Sequence, residues 1–310
     1  MCGNGSALPR PCRLLGHRRT VPIQKLAAGQ MPENRRIASA VAGPHIAGMA
    51  KELHVKSLAD APAQGFWNRA HYLDRMTLRQ LVAAYFQHYT IVSYLVLAAA
   101  SVAVFVWAPA GPLATVAAIL AAAVVYPMVW YALHRWVLHG RWMYKLPMFA
   151  ATWKRIHYDH HQDPNHLEVL FGALHTTLPT IAIATLPVGY AIGGIGGAAA
   201  ALAMGLLVTC YYEFIHCIQH LAFKPRSKII ARMKKLHMEH HFFDEAGNFG
   251  ITNYLPDRLF GTYRERRARR DRSPTVFNLG YTEDVAKTYP WVANLSGGVA
   301  SGHPRRRARG

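Results

Sequence analysis

Apolar residues in this chain are bunched into long runs and do not recur at the period of a soluble fold. Between His88 and His134 there is no Lys, Arg, Asp or Glu. The run is broken once, at Ala108-Pro109-Ala110-Gly111-Pro112. A helix needs about 20 apolar residues to cross a hydrocarbon core. Two spans are therefore predicted, roughly 89–108 and 113–134, joined by a tight turn. A second pair is predicted over roughly 168–188 and 196–216. The turn between them carries Gly189, Gly193, Gly194, Gly196 and Gly197. Gly194 to Ala199 fits a loose G-x-G-x-x-A dinucleotide pattern, but no soluble strand precedes it and it lies within a membrane hairpin. That reading is set aside.

Ahead of the first span, Leu73, Met76, Leu81, Val82, Tyr85 and Phe86 recur at helical spacing, flanked by Arg75 and Arg79 and preceded by Phe66 and Trp67. A helix over 66–88 lying at a bilayer surface accounts for this. Residues 1–48 are rich in Arg, Pro, Gly and Ala and contain no apolar run. They read as disordered, and they lack the apolar stretch of a secretory signal. More ordinary sequence begins at Met49, as it would after an over-extended start. The expected organisation is a basic segment over 1–48, a juxtamembrane helix within 49–88, a four-span domain over 89–265 and a basic tail over 266–310.

The net charge of +19 would suit a nucleic-acid binder or a protein facing anionic lipid. Its placement decides between them. Ile156 to Phe223 holds no Lys or Arg, so neither hairpin turn is basic. All basic residues fall in the N-terminal segment, the 135–155 connection or the C-terminal region. Two hairpins put these three regions on one side, which the positive-inside rule makes cytoplasmic. No nucleic acid is needed to explain the charge. Runs such as Arg264 to Arg272 and Arg305 to Arg309 read as solvated or lipid-facing tails. Of the four cysteines, Cys2, Cys12, Cys210 and Cys217, none forms a CxxC pair. Cys210 and Cys217 read as buried structural thiols.

Ten of the 18 histidines fall into four tight groups. These are His134 and His139; His157, His160 and His161; His216 and His220; and His237, His240 and His241. The first and third groups end the second and fourth predicted spans, so all ten converge on the cytoplasmic surface. Residues three or four apart on a helix share a face, which points His157, His160 and His161 one way and His237, His240 and His241 another. His134 and His139 are five apart, about 140° around an ideal helix. They serve different metals, or the helix distorts there.

Ten imidazoles are too many for one ion, since catalytic and structural zinc sites take three or four protein ligands. Two ions with four or five ligands each would use them all. Imidazole suits zinc, copper, iron and nickel. The His-Glu-x-x-His signature of zinc peptidases is absent. A paired redox metal at the edge of an apolar scaffold suggests oxygen chemistry on a lipid. The nearly all-nitrogen donor set differs from the carboxylate-rich di-iron bundles. So many unpaired polar rings beside a membrane would be costly without a metal.

At these residues the chain resembles the fatty acid hydroxylase/sterol desaturase superfamily. The resemblance covers roughly 115–265. It rests on the four boxes in order, then Asn248-Phe249-Gly250-Ile251-Thr252 and Asp257-Arg258-Leu259-Phe260-Gly261-Thr262. Within the superfamily the chain is most similar to fatty acid 2-hydroxylases. The resemblance implies an all-α integral membrane protein: four transmembrane helices in two hairpins with a cytoplasmic helical cap. It implies a histidine-ligated dimetal site on the ten positions, two iron ions (zinc substituting in purified protein) and O2 as co-substrate. Eukaryotic members often carry a fused cytochrome b5 domain with a His-Pro-Gly-Gly motif. That motif is absent here, so electrons are expected from an external donor of ferredoxin or cytochrome b5 type with its reductase. Pro256 stands where the family often has Trp.

Glu213, one turn before His216, could orient a ligand or be a snorkelling helix-end carboxylate. Asn248 could bond a metal-bound water or serve as a turn residue. His175 reads as a pocket or hydrogen-bonding residue, and Asp159, Asp163 and Glu239 could accept ring N–H bonds or be solvated. The expected reaction is hydroxylation of a lipid or fatty acyl chain. The rival outcomes are desaturation, carotenoid or ornithine-lipid hydroxylation, zinc-dependent lipid hydrolysis, and a non-catalytic membrane scaffold.

Overall fold

The computed structural model describes residues 71–265 and 271–299. The described residues form helices and turns with no strand beyond a single bridge between Tyr72 and His166. The expected basic segment at 1–48, Phe66, Trp67, Cys2 and Cys12 lie outside the described residues.

A short 3-10 turn, Leu73–Arg75, leads into α1, Leu78–Gln87. The start of α1 is fixed by a capping box. Thr77 Oγ1 accepts from the Gln80 N–H at 3.3 Å, and Gln80 Oε1 accepts from the Thr77 N–H at 2.8 Å. Leu81, Ala84 and Tyr85 are buried, whereas Leu78, Val82 and Phe86 form an exposed apolar stripe one helical turn apart. A helix apolar on both faces packs inward on protein and leaves the other face for an apolar medium.

Among the described residues, three helices are long and apolar enough to cross a membrane: Tyr89–Trp107, Pro112–Leu138 and Leu167–His220. The first is α2, and the second comprises α3, Pro112–Ala132, with a π-helical continuation, Leu133–Leu138. Pro112 starts α3, where a missing N–H costs nothing. The third contains α6, Leu167–Leu170, and α7, Leu174–His220, of 47 residues. A straight helix of that length would run about 70 Å, more than twice a hydrocarbon core.

α7 does not run straight. Gly193 and Gly194 leave helical geometry, Gly194 with φ +59°. The two arms fold back on each other. A Cβ at Gly189 would lie 2.5 Å from the Gly197 carbonyl oxygen, and one at Gly205 would lie 2.7 Å from the Thr185 methyl. Glycine is therefore what lets the arms close. The α2–α3 turn meets the same bend, because a Cβ at Gly196 would fall 2.3 Å from the Ala110 nitrogen. Both turns thus share one end of the bundle, while His134, His216 and His220 close the helices running the other way. The outer faces are apolar: Leu113 is 84% exposed and Ile183 75%. Such surface is costly in water and ordinary against lipid.

Beyond the histidine end lie α4, Pro147–Trp153, a π turn at Lys154–Tyr158, α5, Asp159–Gln162, and α8, Lys228–Phe242. Shorter helices follow: α9, Leu255–Leu259, α10, Glu283–Thr288, and α11, Trp291–Ser296. Pro256, at the position where the family often has Trp, is buried in the first turn of α9, a place suited to its fixed φ. Residues 271–299, assigned from the sequence to a basic tail, bury Val276, Tyr281 and Val292. Tyr281 and Val292 share a small core with Met143, Tyr144, Trp153 and Tyr158. Cys210 and Cys217 are free, and Cys217 is buried.

Candidate metal centre

Nine of the ten box histidines come together in two groups at the end of the bundle opposite the turns. One group is His160, His216, His220, His237 and His241, and the other is His134, His139, His157 and His240. Within each, one nitrogen per ring lies within 4.8 Å of all the others. His161 belongs to neither group and packs between them. Its ring centroid is 4.3 Å from His241 and 4.7 Å from His157.

Helix geometry explains how each H-x-x-H-H box divides. Consecutive residues on a helix are about 100° apart. On α8, His237 and His241 serve the five-histidine group while His240 turns to the four-histidine group. His157 and His160 divide in the same way, so the expectation that each box faces one direction is corrected. The His134–His139 pair resolves in favour of distortion. The π segment closes an i to i+5 hydrogen bond, His139 N–H to His134 carbonyl, at 3.0 Å. Residues five apart then meet on one side, and both rings join the same group.

Three rings have their tautomer fixed by the backbone. Nδ1 of His134 is 2.6 Å from the Phe249 carbonyl oxygen, Nδ1 of His240 is 2.7 Å from that of Gly247, and Nδ1 of His161 is 3.1 Å from that of Val276. A carbonyl oxygen only accepts, so each Nδ1 carries the proton and each Nε2 keeps its lone pair. These carbonyls are what the three rings bond. Asp159 is held by Lys154, whose Nζ donates to its carboxylate at 2.7 and 2.8 Å.

Seven of the ten histidines retain a buried ring nitrogen with no hydrogen-bond partner: His160, His161, His216, His220, His237, His240 and His241. Buried polar atoms are nearly always satisfied, so this concentration calls for a missing partner that accepts lone pairs. The spacing fits a metal ion. Nε2 of His220 and His237 are 2.8 Å apart, as are Nε2 of His157 and His139. Two nitrogens about 2.1 Å from one ion and at right angles would lie ~3.0 Å apart. Burial, reinforced by neighbouring imidazoles, holds His139, His157, His160, His161, His237 and His241 well below the usual histidine range. Burial lowers His240 to about 4, against the opposing pull of the Gly247 carbonyl. The rings are therefore neutral near pH 7, the form that binds metal.

A cavity of about 330 Å³ abuts both groups through His134, His157, His160, His216 and His237. Its other walls are mostly apolar, including Leu133, Val137, Met143, Phe149 and Ile251. Glu213 also lines it; the carboxylate is buried and accepts from the Gly172 N–H at 3.2 Å. Asn248 is fully committed to the backbone: its Oδ1 accepts from the Arg264 N–H at 2.8 Å and its Nδ2 donates to the Arg264 carbonyl at 2.6 Å. Its φ of +56° is tolerated by asparagine better than by most residues. His175 is exposed on α7 and lines neither the cavity nor either group.

Residues 119–262 match the family model described as fatty acid hydroxylase. That segment contains all ten histidines. The chain is similar to the ceramide very long chain fatty acid hydroxylase SCS7 of Saccharomyces cerevisiae, 29% identical over 147 residues, 45% of this chain and 36% of that protein. It is also similar to the dihydroceramide fatty acyl 2-hydroxylase FAH1 of Arabidopsis thaliana, 31% identical over 141 residues, 45% of this chain and 57% of that protein. The chain thus spans only part of the length of these relatives. A solved structure described as full-length scs7p, with only the hydroxylase domain visible, has 20% identity and a TM-score of 0.48, covering 79% of this chain and 97% of that one.

Proposed function

We propose that this chain is an O2-dependent hydroxylase that uses two iron ions to place a hydroxyl group on the acyl chain of a membrane lipid. The observation that carries the reading is two sets of histidines whose ring nitrogens lie within 4.8 Å of one another beside an apolar cavity. His160, His216, His220, His237 and His241 would hold one ion, and His134, His139, His157 and His240 the other. His161 sits where it touches both sets. When bound, the metal pair supplies O2 activation and one-electron redox capacity. The names of the two relatives support an acyl chain attached to a sphingolipid-type head as substrate.

The chain's own residues supply position and environment. The backbone carbonyls of Phe249, Gly247 and Val276 hold three rings in one tautomer. The cavity's apolar walls exclude water and align an aliphatic chain against the histidine wall. Partly exposed Leu133, Val137, Thr176 and Thr180 line it from two membrane helices, so a tail can enter sideways from the bilayer. The balance is one C–H bond, one O2, two electrons and two protons giving one C–OH bond and one water. The electrons come from an external one-electron carrier, of ferredoxin or cytochrome b5 type.

Lipid mass spectrometry of cells with and without the chain tests the reaction. Hydroxylation adds one oxygen, desaturation removes two hydrogens, and hydrolysis releases free acid; appearance of only the second or third would replace this reading. Metal analysis under reducing conditions should approach two ions per chain, and a stable value of one or none in folded protein would sink the dimetal site.

The two arms of α7 count as separate spans in this reading, giving four crossings with the histidines on the cytoplasmic side. Single cysteines at the exposed positions Leu113 and Ile195, in a background without native cysteines, should react from the opposite side only. Labelling from the cytoplasm alone would refute the orientation.

A further inference from the structure

His139 differs from the other eight grouped histidines. They are buried, and it is partly open. The opening is a recess separate from the acyl cavity, with His139 and Phe249 among the residues that line it. Phe249 touches the four-histidine group directly, its ring 5.1 Å from His139 and 5.7 Å from both His134 and His240. The other lining includes Arg135, Arg141 and Arg264, against one carboxylate, Glu245. Glu245 is engaged by the hydroxyls of Ser273 and Thr275, and Arg264 is paired with Asp244. Arg135 and Arg141 have no carboxylate within ion-pair distance among the described residues. Arg135 instead lies over the rings of Trp136 and Phe260, at 5.1 and 5.7 Å. Trp136 and Phe260 are about half exposed at the rim.

We propose that this recess is where a small, acidic one-electron carrier protein docks and delivers electrons to the four-histidine group through His139 and Phe249. The proposal rests on the hydroxylase reading, which requires two electrons from outside the chain. A donor must come close to the centre, and the acyl cavity on the other side would be filled by substrate. His139 is the histidine of the two groups that meets the surface. Two guanidiniums beside it, neither in a close ion pair though Arg135 feels the buried Asp257 carboxylate, attract a negative partner and suit a weak, fast-exchanging encounter steered by charge. The exposed Trp136 and Phe260 add apolar contact to that encounter. Each encounter moves one electron: the carrier is oxidised by one electron and the centre reduced by one, twice per turnover.

The test uses the full chain in nanodiscs of zwitterionic lipid and a soluble acidic [2Fe–2S] ferredoxin as probe, with binding as the readout. Wild-type affinity should fall at least about tenfold as ionic strength rises from ~0.05 to ~0.5 M. Arg135→Glu/Arg141→Glu should weaken low-salt binding at least about tenfold. Arg135→Lys/Arg141→Lys keeps the charge and should bind within about threefold of wild type, which separates charge from folding. Lys228→Glu reverses an exposed charge at the far end of α8, about 18 Å from His240 by helical rise, and should leave binding unchanged. Equal binding by wild type and the Glu pair would overturn the proposal, as would equal weakening by Lys228→Glu. Loss of affinity of the Glu pair for phosphatidylglycerol vesicles, with ferredoxin binding intact, would make the recess an anionic-lipid site and also overturn it. Failure of the hydroxylase reading shows separately, as absence of oxygenated lipid from wild-type cells.

Discussion

His240→Ala should reduce oxygenated product to background while the protein remains in the membrane. His240 brings the last box into the four-histidine group. Its Nδ1–H is tied to the Gly247 carbonyl, and its Nε2 is a buried orphan. Its ring centroid lies 5.0 Å from His134 and 4.7 Å from His139. Alanine removes the donor atom. Loss of a group that merely orients a ligand typically costs 10- to 100-fold, and loss of a ligand itself should exceed about 100-fold. Metal content should fall from two toward one, because the five-histidine group keeps all its donors. Insertion should persist, since His240 lies on α8, outside the three apolar helices. His175→Ala, on an exposed position of α7, should retain activity at equal membrane level. Full activity of His240→Ala, or equal loss from His175→Ala, would sink the assignment of ligands.

The long apolar helices were legible because hydrocarbon imposes a coarse rule that a sequence cannot hide. Runs without charge gave α2, α3 and the length of α7, and the glycines between Gly189 and Gly197 marked the bend. The histidine boxes were legible because spacing on a helix is a property of the sequence. Their division between two groups was less so. It depends on a π segment at Leu133–Leu138 and on rotations of about 100° between neighbours, neither of which a list of spacings displays. The partners of the rings were not legible at all. The spacing allows Asp159, Asp163 and Glu239 either to accept ring N–H bonds or to be solvated, whereas His134, His161 and His240 are bonded by the backbone carbonyls of Phe249, Val276 and Gly247. Every residue has a carbonyl, so a carbonyl acceptor leaves no mark in composition. Val276 lies in the segment after 270, whose basic residues suggest a solvated tail and whose Tyr281 and Val292 pack on Met143, Tyr144, Trp153 and Tyr158.

The side chain that places two of those carbonyls leads to the second large effect: Asp257→Ala should strip metal preferentially from the four-histidine group. Asp257 is completely buried and touches no histidine in the hydrogen-bond network. Its Oδ1 accepts from the Phe249 N–H at 2.9 Å and the Thr262 hydroxyl at 2.7 Å, and its Oδ2 accepts from the Gly250 N–H at 2.7 Å. Burial pushes its carboxyl up, and these three bonds pull it back. They clamp the strand of chain whose Phe249 carbonyl orients His134 and whose Gly247 carbonyl orients His240. Gly250 allows the tight path, as a Cβ there would meet the Asn253 carbonyl oxygen at 2.1 Å. Alanine leaves two buried N–H groups without acceptors, at about 1–3 kcal/mol each, while the Thr262 hydroxyl keeps only Tyr131. The clamp should loosen, His134 and His240 should lose their fixed tautomer, and affinity for one ion should fall roughly 10- to 100-fold. Asp257→Asn keeps one acceptor oxygen but sets an amide donor against an N–H, so it should fall between wild type and alanine. The measurement is metal stoichiometry at graded chelator concentration, together with thermal unfolding of the same samples. One ion should leave early while the other stays. Retention of both ions by Asp257→Ala at wild-type chelator resistance would show that the carbonyl clamp does not control the site. Loss of both ions only at the point of unfolding would make Asp257 a determinant of the fold alone.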